Sequence, residues 1–117
     1  MHHKPRALVV LGIGPIFTVG EKSFIATLIK MAGGENAVHI RDAYAQFSAE
    51  AIVASQPDVI ITDNTSGLMG VLGRPPWSSL RAVREHHVYV GPPYLSIPGP
   101  RYNDGLEWLI DKFKRVQ

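Results

Sequence analysis

Two hydrophobic patterns alternate along this chain. Short, continuous apolar runs are typical of strands buried on both faces of a parallel sheet, and they fall at residues 7–11, 37–38, 59–62 and 87–90. Apolar residues at helical spacing predict helices at about 22–32, 49–54 and 77–83, with a final helix that begins near Pro100. This alternation predicts an α/β fold: a small parallel sheet of about four strands with helices on both faces, a Rossmann-like three-layer lobe.

Turn and cap residues set the expected boundaries of these elements. Gly12 to Pro15 breaks the first strand and predicts a turn that leads into the first helix. Ser48 is placed to cap the second helix, and residues 40–47 before it are expected to form a loop. Pro57 ends that helix, because the residue before a proline avoids the helical conformation.

Composition narrows the class of protein. A chain of 117 residues with 45% hydrophobic and 19% charged residues predicts one globular domain with a real core. It has no cysteine, which excludes a disulfide framework, a thiolate metal site and a cysteine nucleophile. The net charge is only +2 and the basic residues are scattered, so no nucleic-acid partner is expected.

The N-terminus carries no recognisable targeting segment. Residues 1–5 are polar and are expected to be a leader or a tag remnant before the domain at 6–117. The apolar run that follows is too short for a signal peptide, and a membrane span needs about 20 apolar residues. An intact protein of this kind would be either cytoplasmic or exported by a signal absent from this chain.

Candidate chemistry is sparse. Gly12 and Gly14 lack the third glycine of a dinucleotide fingerprint, and the 14–23 segment departs from a phosphate loop by an intervening glutamate. His86 and His87 would point to opposite faces of a strand and could not easily share a metal ion. Asp58 and Asp63 bracket a strand about 15–17 Å long, too far apart for a carboxylate pair. None of these patterns assembles a metal site, an acid–base pair or a nucleophile with its base, so an enzyme is the weaker class of function.

The remaining candidates are aromatic residues in predicted loops. Phe17 and Tyr94 follow predicted strands, and Tyr44 lies in the predicted loop before the second helix. Ligands of open parallel sheets bind at the carboxyl ends of the strands, so these rings are expected at that edge, partly exposed. Capping of the core by loop aromatics is the equally weighted alternative.

An ordered series of motifs carries a family resemblance. The segments are FTVGEKSF at 17–24, AGGEN at 32–36, FSAE at 47–50, PDVII at 57–61, VYV at 88–90 and GPR at 99–101. Together they resemble the C-terminal lobe of the periplasmic-binding-protein-like receptors that serve ABC importers of cobalamin, haem and iron–siderophore complexes. The resemblance runs from about residue 6 to the end of the chain.

The resemblance implies a binding protein rather than an enzyme. Members have two lobes joined by a long helix, hold a metal chelate between them, and deliver it to a membrane permease. It implies that an N-terminal lobe is missing here, and that the intact protein is periplasmic or anchored outside the cytoplasm. The uncharged segment 92–98 departs from cobalamin-binding members, which often have acidic residues there.

The resemblance also implies roles for particular residues. Phe17, Tyr44 and Tyr94 fall where members often place cleft residues, and stacking would suit a flat chelate. Arg101 resembles a recurrent arginine that meets an anionic chelate or holds the preceding loop. Glu50 matches the glutamate that pairs with permease arginines, although a carboxylate in a first helical turn is also favoured by the helix dipole. The alternative function is a free-standing α/β domain that senses a small molecule or has a regulatory role.

Overall fold

The computed structural model describes residues 4–42, 44–63, 67–92 and 102–116. Its strands are β1 (Arg6–Val10), β2 (Gly12–Ile13), β3 (Ile16–Val19), β4 (Glu35–Asn36), β5 (Tyr44–Phe47), β6 (Val59–Thr62) and β7 (Val88–Val90). Its α-helices are α1 (Phe24–Met31), α2 (Ala49–Ser55), α3 (Arg81–Arg84) and α4 (Tyr102–Lys114), with short 3₁₀ helices at Leu68–Gly70 and Trp77–Ser79. None of these described helices is both long enough and apolar enough to span a bilayer.

Four strands form the parallel sheet that the apolar runs predicted. Their order is β4-β1-β6-β7, and every neighbouring pair is parallel. In the centre, Val9 of β1 pairs with Ile61 of β6, and both side chains are buried. The prediction of a small parallel sheet is therefore confirmed.

Successive residues of the central strands supply two separate cores, one on each face. Ala7, Val9 and Ile61 pack with residues of α1 and α4 in the first core. Leu8 and Ile60 pack in the second core with Ile52 of α2, Trp77, Leu80 and Ala82. Because side chains alternate between the faces of a strand, both faces are covered, and the predicted three-layer arrangement is confirmed.

A second, antiparallel sheet lies beside the first, and the sequence interpretation missed it. It has the order β2-β3-β5. Gly12–Ile13 is therefore strand β2, and Gly14 and Pro15 form the hairpin turn to β3 rather than a direct turn into α1. Residues 44–47, expected to be loop, form β5 and pair with the whole of β3, from Ile16↔Phe47 to Val19↔Tyr44.

Two other boundaries differ from expectation. The first edge strand of the parallel sheet is Glu35–Asn36, which begins two residues before the predicted apolar pair. Glu35 and Asn36 pair with Arg6 and Ala7 of β1. The predicted helix at 77–83 is divided at Leu80, whose extended backbone (φ −84°, ψ 136°) separates the 3₁₀ helix from α3. Pro100, the expected start of the last helix, lies outside the described residues.

The last helix closes over the edge strand β7 through aromatic contacts. Trp108 meets Tyr89 edge-on with ring centroids 6.4 Å apart, and the Lys112 ammonium lies 5.2–5.3 Å from both rings. The Lys112 ammonium also donates a hydrogen bond to the Asp111 carboxylate. This hydrogen bond, together with the nearby Arg115 guanidinium, lowers the pKa of the Asp111 carboxyl below its ordinary value of 3.8. The contacts of Trp108 and Lys112 with Tyr89 hold α4 against β7.

Candidate functional site

The β2–β3 hairpin rises from the carboxyl end of β1, where an open parallel sheet places its ligands. The Leu11 amide donates a 2.8 Å hydrogen bond to the Phe17 carbonyl and ties the hairpin to the end of β1. A Cβ built on Gly67, in the segment that follows β6, would lie 3.4 Å from Cδ1 of Ile13. The hairpin therefore meets the segment after β6 at the same edge of the sheet.

Phe17 lies in the middle strand of the small sheet, with its ring open to solvent. The sequence interpretation placed it in a loop, and this was wrong. Its neighbours across the two ladders are Gly12, which has no side chain, and Gln46, which is exposed. Neither covers the ring, so Phe17 is 41% exposed, whereas Val19 two residues later is 1% exposed. An open aromatic surface at this edge could stack against a flat ligand.

The other predicted cleft residues are placed only in part. Tyr44 lies in β5 rather than in the expected loop, and its backbone pairs with Val19 on the strand that carries Phe17. The structure therefore brings the backbones of Tyr44 and Phe17 onto neighbouring strands. Tyr94 and Arg101 lie outside the described residues. The ligand-binding roles of all four residues stay predictions.

Glu50 lies in the first turn of α2 and is exposed. The Ser48 hydroxyl accepts a 3.1 Å hydrogen bond from the Ala51 amide, so the predicted cap is confirmed. Within the described ranges, the Glu50 side chain has no ion pair or hydrogen-bond partner. Glu50 lies four positions along the chain from Gln46, the cross-strand neighbour of Phe17, so the Cα atoms of Glu50 and Gln46 are at most about 14 Å apart.

The opposite, amino edge of the sheet holds a polar cluster with a structural function. Asp58 accepts a 2.9 Å hydrogen bond from the Arg6 amide and forms an ion pair with Arg81. It thereby joins the starts of β1 and β6 to α3. A cavity of about 200 Å³ adjoins it, lined also by Glu85, His87 and Val116. No three acidic or histidine side chains in the described ranges are grouped so that they could hold a metal ion.

Residues 2–95 match the protein family described as "Periplasmic binding protein". The chain belongs to this family. Family members are substrate-binding proteins, and the fold predicted from the resemblance agrees with the observed architecture.

Three relatives illustrate the match. An uncharacterized ABC transporter substrate-binding lipoprotein, YvrC of Bacillus subtilis (strain 168), is 33% identical over 97 residues, which cover 82% of this chain and 31% of the relative. The high-affinity heme uptake system protein IsdE of Staphylococcus aureus (strain MRSA252) is 27% identical over 95 residues, covering 73% of this chain and 32% of IsdE. The crystal structure of the periplasmic vitamin B12 binding protein BtuF of Vibrio cholerae matches with a TM-score of 0.86 and 26% identity, over 98% of this chain and 46% of that one. The chain thus spans about a third of these two curated relatives and just under half of the solved structure.

The glycines of the family motif are explained by close packing of the backbone. A Cβ on Gly20, at the exit of β3, would overlap the Asp42 carbonyl oxygen and come within 2.7 Å of the Ile40 carbonyl oxygen. A Cβ on Gly34, after α1, would lie 2.5 Å from the ring of Phe113 in α4. These two glycines therefore allow neighbouring segments to approach closely.

The polar residues Ser23 and Asn36 of the same motif make hydrogen bonds within the lobe. Ser23 caps α1 by accepting a 3.1 Å hydrogen bond from the Ala26 amide. The Asn36 side chain donates to the carbonyls of Val19 and Val38, at 2.9 and 3.0 Å. Asn36 thereby fastens the end of the β2–β3 hairpin to β4. Ser23 and Asn36 of the motif that carries the family resemblance thus make hydrogen bonds within the lobe.

A further feature of this family member was not anticipated from its sequence. A groove of about 470 Å³ runs beside Glu50, lined by Ala49, Glu50, Val53, Pro75, Pro76 and Ser79, and is here called the α2 groove. The proline pair was interpreted only as a loop signal. Its approach to α2 depends on packing between segments more than twenty residues apart, which no local pattern indicates.

Proposed function

We propose that residues 6–117 form the C-terminal lobe of the substrate-binding component of an ABC importer that carries a metal chelate. The observation that supports this most directly is the family match over most of the chain, together with an exposed aromatic residue at the carboxyl edge of the sheet. The ligand class follows from relatives whose names refer to heme and vitamin B12. An iron–siderophore, haem or cobalamin is the proposed cargo.

In this proposal the lobe binds and releases without chemical change, so the protein has no enzymatic activity. Phe17, Tyr44 and Tyr94 stack on the chelate, and Arg101 meets its anionic groups. An N-terminal lobe supplies the other half of the contacts, and the intact receptor works outside the cytoplasm. Glu50 contacts the membrane permease. It is exposed, and its Cα atom lies about 14 Å or less from that of Gln46 on the strand that pairs with β3.

We expect the isolated chain to bind haem, cobalamin or a ferric catecholate chelate with micromolar or weaker affinity. A single lobe loses half the contacts but still bears most of the entropic cost of association, commonly about 4–15 kcal/mol. The measurement is absorbance titration of each chelate, with the monomeric state checked by sedimentation. Nanomolar affinity of a confirmed monomer would show that the lobe is a complete receptor, and would contradict the half-site proposal.

We expect Phe17→Leu to weaken binding of the best chelate by about three- to tenfold. Leucine retains an apolar side chain but removes the aromatic face, and ring stacking contributes about 0.5–1.5 kcal/mol beyond burial. Met31→Leu is the matched control, because Met31 is also exposed (55%) but lies at the end of α1. Equal affinities of Phe17→Leu and the unaltered chain would remove Phe17 from the ligand site.

A further inference from the structure

The α2 groove is mostly apolar and has a single acidic group. Ala49 and Val53 line it from α2, and Pro75 and Pro76 line it from the opposite segment. Val53 and Pro76 are half-buried, while Ala49 and Pro75 are exposed. Glu50 belongs to the same lining, so its exposed carboxylate lies beside an apolar surface.

Both walls of the groove are anchored in the second core. Ile52 of α2 is buried there, and so are Trp77 and Leu80, which follow the proline pair. The Gln56 side chain at the end of α2 accepts a 3.5 Å hydrogen bond from the Arg81 amide at the start of α3. The groove is therefore formed in the free lobe, so binding of a partner loses little conformational entropy in ordering it.

The charge in this groove is not compensated within the described part of the chain. Glu50 has no ion pair or side-chain hydrogen bond there. Elsewhere on the lobe, by contrast, Arg81 pairs with Asp58 and Lys112 with Asp111. An apolar groove with one free carboxylate complements a surface that presents a cation directly beside an apolar side chain. A purely apolar partner would bury that carboxylate without compensation, which is costly.

From this charge complementarity we propose that the α2 groove binds an apolar side chain of the permease, next to the lysine or arginine that pairs with Glu50. The inference rests on the proposed function, because it takes the permease as the partner. It adds a second determinant to docking. The groove supplies affinity that salt does not screen, and Glu50 supplies orientation and a faster approach.

The test is binding of the intact receptor to its permease in lipid nanodiscs, measured at low and high salt. Val53→Gln places an amide in the groove, and Ala54→Gln is the matched control on the neighbouring exposed position of α2. We expect Val53→Gln to weaken binding about tenfold at both salt concentrations, and Ala54→Gln to have no effect. Glu50→Ala is expected to weaken binding at 0.1 M salt, and its effect is expected to shrink near 1 M, where the Debye length falls from about 10 Å to about 3 Å.

A second groove variant keeps the test independent of folding. Ser79→Phe fills the groove from its exposed opposite wall and should also weaken binding about tenfold. Normal binding by both groove variants, with loss in Glu50→Ala, would overturn the groove inference and leave permease docking intact. Normal binding by all variants would overturn both. Self-association of the receptor that Val53→Gln abolishes would assign the groove to a second copy of the chain and overturn the inference.

Discussion

Replacement of Gly20 by alanine is expected to destabilise the lobe by at least about 3 kcal/mol. The new Cβ would overlap the Asp42 carbonyl oxygen and crowd that of Ile40, and both are backbone atoms that cannot rotate away. The Glu21 amide also donates a 2.6 Å hydrogen bond to the Ile40 carbonyl, so moving the two segments apart would break this bond as well. Urea unfolding followed by tryptophan fluorescence measures the loss, and thermal unfolding should shift by about 10 °C or more.

Gly73→Ala is the matched control for this substitution. A Cβ at Gly73 would have no atom within 4 Å, and its backbone does not require glycine. We expect the free energy of unfolding of Gly73→Ala to lie within about 1 kcal/mol of the unaltered chain. If Gly20→Ala proved equally stable, residues 40–42 could not approach the exit of β3 as closely as the structure shows.

The parallel sheet was predictable from sequence because burial on both faces leaves a direct trace. A strand that is buried on both faces is apolar at successive positions, as β1 is from Ala7 to Val10. The cap of α2 was equally accessible, because the Ser48 hydroxyl acts on an amide three residues away. Local chemistry therefore specified the three layers and the start of α2.

The small antiparallel sheet left no comparable trace. Its strands have two to four residues each, and β3 pairs with β5 across an intervening helix and strand. Such pairing depends on where α1 and β4 place the chain, so no window of sequence contains it. The hint that was available is the β-branched pair Thr18–Val19 after a glycine–proline turn, which favours a strand over a simple turn.

The candidate site was likewise predictable from local sequence only in part. Exposure of Glu50 and the opening of the Phe17 ring could be anticipated in part, from a first-turn position and from an aromatic residue near a strand end. The α2 groove could not, because Pro75 and Val53 meet only after Trp77, Leu80 and Ile52 pack into one core. Residues that define a surface through non-local packing are found only when the fold is known.

Charge reversal at Glu50 is expected to reduce chelate uptake by the intact receptor by about tenfold or more, and by more than Glu50→Ala does. If Glu50 pairs with a permease arginine, alanine only fails to attract it, whereas arginine repels it and slows association. The free energy of unfolding should change by less than about 1 kcal/mol in either variant, because the side chain is exposed and has no partner in the described part of the lobe. Uptake into cells or permease-containing vesicles is measured beside chelate titration of the same variants.

The matched control is Glu107→Arg, which makes the same change of charge at an exposed position of α4. That helix covers the first core, whereas α2 covers the second, so Glu107 lies on the opposite layer of the sheet from Glu50. A general effect of added positive charge would lower uptake in both variants, and a docking effect only in Glu50→Arg. Chelate affinity should stay unchanged in all of them, since neither residue lies in the proposed ligand site. Normal uptake by Glu50→Arg would leave this carboxylate only the stabilisation of about 0.3–1 kcal/mol that a first-turn acid gains from the dipole of α2.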